Sequence, residues 1–224
     1  MTLTPAEWKR FYAAERARLG RSALEALLAH APPLPRCRAV IFPHTRLEVT
    51  GAMTAAAARW VTESAADEAL AIGVLHGGAP DPRDEFSLDA FEALLALSPR
   101  APRLRRHFSD AAVDIPPTIP IVATADMVHH GIGYGATPST LRDPSFARAS
   151  IESQLRALSA HDFEAFLSEC ASARSDFKNA GRALALTLGP GFSFTIHSLE
   201  IVDYSAALAA PPPTWVAAAL ITIT

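Results

Sequence analysis

The chain has 224 residues, half of them apolar and 19% charged, with a formal net charge of -3. That is long enough to bury a core within one domain and too apolar for intrinsic disorder. Its apolar residues come in short runs broken by Arg, Asp, Pro or Gly, so no run reaches the ~18 needed to span a bilayer, and the near-neutral balance argues against a general nucleic-acid binder, whose affinity comes from neutralising phosphates.

In chain order, Thr4-Pro5-Ala6-Glu7 is a capping box with proline at the first helical position, which predicts a helix over 5–19. A second helix is predicted over 21–30, closed by the Pro-rich stretch 31–35. The apolar run 38–42 suits a buried strand, the Ala-rich stretch 52–63 a helix, and 69–75 a second buried strand. Residues 87–97 carry Phe91, Leu94 and Leu95 at helical spacing, and 119–124 is a third strand. The basic cluster Arg100, Arg103, Arg105, Arg106 and His107 reads as a solvated helix face. Asp143-Pro144 caps a long helix, Ser159 and Asp162 start another toward Cys170, and 175–188 is a further one stopped by Gly189-Pro190-Gly191. Strands at 198–204 and 215–222 flank the Pro211-Pro212-Pro213 breaker. With no repeat and no long linker, the expectation is one α/β domain over 1–224: a layered fold with a largely parallel central sheet flanked by helices, and 1–35 as a helical extension packed on it. The start lacks the order of regions that a signal peptide needs, so the expected compartment is the cytoplasm, with no membrane and no nucleic-acid partner.

In an open α/β sheet, ligands bind beyond the carboxyl ends of the strands. His44 follows the first predicted strand, His76 ends the second, and His129 with His130 follows the third. Three strands delivering imidazoles to one edge point to a shared site for metal binding or acid–base work. Cys37 and Cys170 form no Cys-x-x-Cys pair, which excludes zinc-ribbon and thioredoxin readings. The loop His76-Gly77-Gly78 could belong to an esterase, but Gly191-Phe-Ser193-Phe-Thr195 lacks the second glycine of a nucleophile elbow. Gly131-Ile-Gly133-Tyr-Gly135 has the wrong spacing for a dinucleotide loop and reads as flexibility around the histidines.

These residues also resemble a family. Pro43-His44 with Gly51 seven residues on, Gly73-Val-Leu-His76, and Ala123-Thr-Ala-Asp126-Met-Val-His129 with Gly131 and Tyr134 look like the Memo-like proteins. Those include protein B of the AmmeMemoRadiSam system and are related to class III extradiol (LigB-type) dioxygenases. Cys170, Val202-Asp-Tyr-Ser205 and the closing strand extend the resemblance over about 38–224. Phe86, in Glu85-Phe86-Ser87-Leu88-Asp89, stands where the family has a cavity histidine, and Ala171 follows Cys170 where the family has glycine.

The resemblance implies a Memo/LigB-like fold with His44, His76 and Cys170 as metal ligands and Asp126 and His129 beside them. Two imidazoles and one anion on one face suit non-heme Fe(II), while a thiolate makes copper or zinc plausible. Cys170 reads equally well as a small buried hydrophobe on a helix. His129 would act as general acid–base, with Asp126 fixing a ring tautomer or merely capping the turn. The function expected is oxygen-dependent oxidation of a small organic molecule, with O2 as co-substrate. A non-catalytic module for a peptide or protein partner and a zinc-type hydrolase are the alternatives.

Overall fold

The computed structural model describes residues 3–76 and 85–224. Three short apolar strands, β1 (Ala39–Phe42), β2 (Glu68–Ile72) and β4 (Ile121–Thr124), lie parallel in the spatial order β2-β4-β1. They are buried on both faces, which is why they read as continuous apolar runs rather than alternating ones. Alternate residues serve two cores. Ile41, Leu70, Ile72 and Ala123 pack with α4 (Phe146–Ser159), α5 (Phe163–Ala173) and α6 (Lys178–Leu188). Val40, Phe42, Ala71 and Val122 pack with α1 (Pro5–Ala29), α2 (Leu47–Glu63) and α3 (Asp89–Leu95) on the opposite face.

The other half of the sheet departs from the sequence expectation. β6 (Phe194–Asp203) and β7 (Thr214–Ile223) form a long antiparallel pair, and β7 also runs antiparallel to β1. With β3 (Arg103–His107) and β5 (Val128–Gly131), the sheet is therefore mixed, seven strands in the order β3-β2-β4-β1-β7-β5 with β6 beside β7, rather than largely parallel. All ten residues of β7 are buried, so its ladder, and not an outer edge, closes onto the parallel strands. No helix among the described residues is long and apolar enough to cross a membrane.

Two strands are missed by sequence patterning. The basic cluster is not a helix face: β3 (Arg103–His107) pairs parallel to β2 at the sheet edge. Its arginines suit an edge, because charged side chains deter pairing with another chain, and Arg103 and Arg106 also pair with Glu68 and Glu92. The Asp126–His129 turn in fact runs into β5 (Val128–Gly131), which pairs with Thr214–Ala217 of β7.

The register of β7 explains how a crevice forms. Its residues 221–223 pair with β1 and its residues 214–217 with β5, both on the edge opposite β6. The chain leaves β4, steps over the carboxyl end of β1, where the Ala125 amide donates to the Phe42 carbonyl at 3.0 Å, and continues as β5. Pro43-His44 and Ala125-Asp126 thus leave the sheet side by side. Gly131 ends β5 at φ 108°, and a Cβ there would lie 2.0 Å from the Pro213 carbonyl oxygen. Close backbone approach, not flexibility, therefore requires this glycine.

α1 breaks at Gly20 (φ 73°, ψ 170°), which matches the two helices expected over 5–19 and 21–30. Its first half caps α2. The α2 N-cap, Arg46, makes no side-chain cap bond, and the buried Glu15 carboxylate accepts instead from the Leu47 amide at 2.9 Å. A carboxylate at a helix N-terminus satisfies an orphan donor and opposes the helix dipole. Glu15→Ala is expected to lower unfolding free energy by about 1–3 kcal/mol, the cost of a buried donor left unpaired; urea melts of the variant check this.

Candidate metal centre

The parallel order β2-β4-β1 brings the ends of those strands together, and with them His44, His76 and Asp126. His44 Nε2 lies 3.1 Å from His76 Nε2 and 3.2 Å from Asp176 Oδ2, and His76 Nε2 lies 3.7 Å from the same oxygen. Neighbouring ligands of one ion with bonds of about 2.0–2.2 Å stand about 3.0–3.5 Å apart, so two sides of this triangle are of ligand size and the third, at 3.7 Å, is slightly longer. A second triad, Asp126, His129 and Asp176, also has its donor atoms within 4.8 Å of one another and shares Asp176 with the first.

Each ring is held from behind. His44 Nδ1 bonds to Thr124 Oγ1 at 3.0 Å, and His76 Nδ1 to Glu85 Oε2 at 2.9 Å. A carboxylate behind an imidazole fixes its tautomer and raises its basicity, the usual support of a histidine that binds metal through its other nitrogen. Glu85 also accepts from the His76 amide at 2.6 Å, which fixes the end of the β2 loop. Residues 77–84, including Gly77 and Gly78 of the histidine–glycine loop, lie outside the described residues. Phe86 stacks on the His76 ring at 4.3 Å, so the position where the resemblance expects a cavity histidine is an apolar wall.

Asp176 comes from the segment between α5 and α6. Its Oδ1 accepts from the Asp126 amide at 2.9 Å, which ties it to the end of β4. Burial disfavours its charge, but His44, His76 and His129 together hold its carboxyl well below the usual range. Asp126 behaves oppositely: burial and the neighbouring Asp176 charge outweigh the attraction of His44 and raise its pKa. Its Oδ1 is buried with no hydrogen-bond partner. A carboxylate oxygen without a partner in the interior is costly, and a cation in the triad would supply one.

For His44, burial works against the charged ring, yet Asp126 and Asp176 raise its pKa. For His76, burial is likewise overcome by Asp176 and Glu85, which lift it to about 9. Without metal, the site therefore holds protons among its carboxylates. Raised histidine values mean that protonated His76 stabilises the metal-free fold below its ordinary value near 6.5, and that this contribution is lost as pH rises through about 9. Metal must displace the same proton, so its affinity changes in the opposite sense. Across pH 6.5 to about 9 the melting temperature of chelator-treated protein is expected to fall while metal affinity rises, measured by calorimetric scans and metal titrations at each pH.

His129 Nδ1 bonds to the Arg174 carbonyl at 2.8 Å, which makes Nε2 the lone-pair nitrogen of the neutral ring. His129 lines a cavity of about 60 Å³ together with His44, His76, Asp126 and Asp176. Trp8 and Tyr12 of α1 form part of its wall, so the N-terminal helix contributes to the site, which the sequence did not suggest. His130, on the other face of β5, packs against Phe146 and Trp215.

Cys170 belongs to neither triad. It is fully buried in the core between α4, α5 and α6, where its thiol donates to Gln154 Oε1 at 3.4 Å and burial pushes its pKa up to about 12. That is the chemistry of a small hydrophobe rather than a thiolate ligand. Asp176, and not Cys170, sets an anionic side chain beside both His44 and His76. Ser193, the serine of the esterase reading, bonds to Thr224 rather than to a histidine. Compared with known protein families and with curated proteins, the chain matches none.

Proposed function

We propose that this protein is a Memo-like metalloprotein, allied to the class III extradiol (LigB-type) dioxygenases, that oxidises a small organic substrate with O2. His44, His76 and Asp176 would hold one divalent ion, Fe(II) by preference. The observation that carries the reading is the ligand-sized triangle of two imidazole nitrogens and one carboxylate oxygen, with Thr124 and Glu85 behind the rings. Two histidines and a carboxylate on one face, with other positions open, are the donor pattern of non-heme Fe(II) oxygenases. A carboxylate in place of the thiolate removes the soft donor that favoured copper. Fe(II) bound there would supply one-electron chemistry with O2.

The chain's own groups do the rest. Glu85 and Thr124 orient the two rings. His129, pinned through Nδ1, offers Nε2 to take a proton from a substrate hydroxyl, since a neutral imidazole is a base near physiological pH. Trp8, Tyr12 and Phe86 line the cavity and limit water. The test is to load the protein anaerobically with Fe(II), measure iron per chain, then admit O2 with catechols and other small diols and follow oxygen uptake. Stoichiometric iron with substrate-dependent uptake is expected; iron-free protein, or none across the panel, overturns the reading.

A zinc-type hydrolase is the second reading. It is favoured by the hard nitrogen and oxygen donors and by Asp126, whose raised pKa and unpartnered oxygen suit a general base. Zinc retention with ester or phosphoester hydrolysis, and no oxygen uptake, would select it. A metal-free protein that captures a defined partner would select the non-catalytic module instead.

A further inference from the structure

Beside the candidate centre lies a separate pocket of about 270 Å³, whose lining includes His129, His130, Thr140, Arg142, Phe146 and Arg174 and contains no acidic residue. His129 lines both this pocket and the metal cavity. Elsewhere the arginines are mostly paired: Arg16, Arg18, Arg46, Arg59, Arg103 and Arg106 each meet a carboxylate. Neither of the two in the pocket meets a carboxylate among the described residues. The Arg142 guanidinium lies 3.8 Å over the Phe146 ring, and Arg174 Nη2 donates to the Gly135 carbonyl at 3.2 Å.

The backbone at Arg174 sets where its side chain and its carbonyl go. The Ser175 amide bonds to the Cys170 carbonyl at 2.8 Å and the Arg174 amide to the Ala171 carbonyl at 3.2 Å, the paired bonds of a Schellman helix end. Arg174 occupies its left-handed position at φ 52°, where glycine is the usual residue because a Cβ is strained. Here the side chain projects into the cationic pocket while the carbonyl of the same residue holds His129.

We propose that Arg142 and Arg174 form the anion-binding part of the substrate site, so that the substrate is a small organic acid whose carboxylate or phosphate they grip while the rest of the molecule lies against His129. This rests on the proposed function for the identity of the reacting end, but the anion site stands on its own geometry. Guanidinium forks match carboxylate and phosphate oxygens in pairs, and the Phe146 ring supports the Arg142 guanidinium from behind.

The experiment uses the full chain as purified, with its metal content measured on the same sample. Benzoate, phenyl phosphate and the neutral isostere benzamide are titrated calorimetrically into wild type, Arg142→Gln, Arg174→Gly and the double variant. Either anion, or both, is expected to bind one to one, at least tenfold more tightly than benzamide, with affinity falling as salt rises. Each single variant is expected to lose at least tenfold and the double variant all measurable binding, while Arg174→Gly keeps or raises the melting temperature because glycine relieves the helix end. The preferred anion identifies the headgroup as carboxylate or phosphate. Anion binding unchanged in the folded double variant, benzamide binding as well as benzoate, or no anion binding to wild type overturns the proposal. A protein that binds benzoate through the arginines yet takes up no metal overturns the proposed function alone.

Discussion

Asp176→Asn is expected to bring bound iron or zinc from stoichiometric to near zero while leaving the fold intact. Asn keeps the oxygen that accepts from the Asp126 amide, so the link between the α5–α6 segment and the end of β4 survives. It loses the negative charge that both histidine rings face at 3.2 and 3.7 Å and that would offset the charge of a divalent ion. Losing an outer hydrogen-bond partner of a ligand typically costs about 10–100-fold in metal affinity, which is the size expected for Glu85→Gln. Removing a direct anionic donor should cost more than that. Cys170→Ser supplies the contrast, since its thiol faces Gln154 in the core and metal content should match wild type. Metal analysis of the purified variants, with competition titrations for affinity, decides the matter. Full metal in Asp176→Asn, or its loss in Cys170→Ser, would return the anionic role to Cys170.

His129→Asn is expected to keep the metal and lower turnover by about 10²- to 10⁴-fold, the usual contribution of a positioned acid–base group. The Asn amide can still donate to the Arg174 carbonyl, but it offers no basic nitrogen to the cavity. The variant also tests how the two triads are used. If His129, Asp126 and Asp176 hold a second ion, wild type will bind two ions per chain and His129→Asn one, and His129 is then a ligand rather than a base. Metal stoichiometry therefore separates the two roles before any kinetics are measured. Turnover unchanged in His129→Asn, with metal retained, removes His129 from the chemistry altogether.

Much of the scaffold was legible because local rules determine it. The capping box at Thr4, the break at Gly20 and the apolar runs at 39–42 and 121–124 each act over a few residues, and each appears where expected. The strand-end position of His44 and His76 followed from the same runs, and the parallel order β2-β4-β1 brings their rings to 3.1 Å. Edge strand β3 and strand β5 escaped because Arg103-Leu-Arg-Arg-His107 and Val128-His-His-Gly131 are mostly polar and form no apolar run, unlike the equally short β1 and β4. Both are strands only by virtue of the partner beside them.

Composition and pattern by themselves determined a layered α/β chain with histidines gathered at one edge of the strands. Tertiary structure alone decided the mixed sheet, because whether β7 lies antiparallel on β1 depends on pairing across some 180 residues of sequence, which no local propensity encodes. It alone set Asp176, and not Cys170, beside the two histidines. A cysteine and an acidic residue six positions apart both precede α6, and only the left-handed turn at Arg174 directs one into the core and the other to the strand ends. Glu85 became visible for the same reason: a carboxylate acquires a role behind an imidazole only when the fold sets it at 2.9 Å.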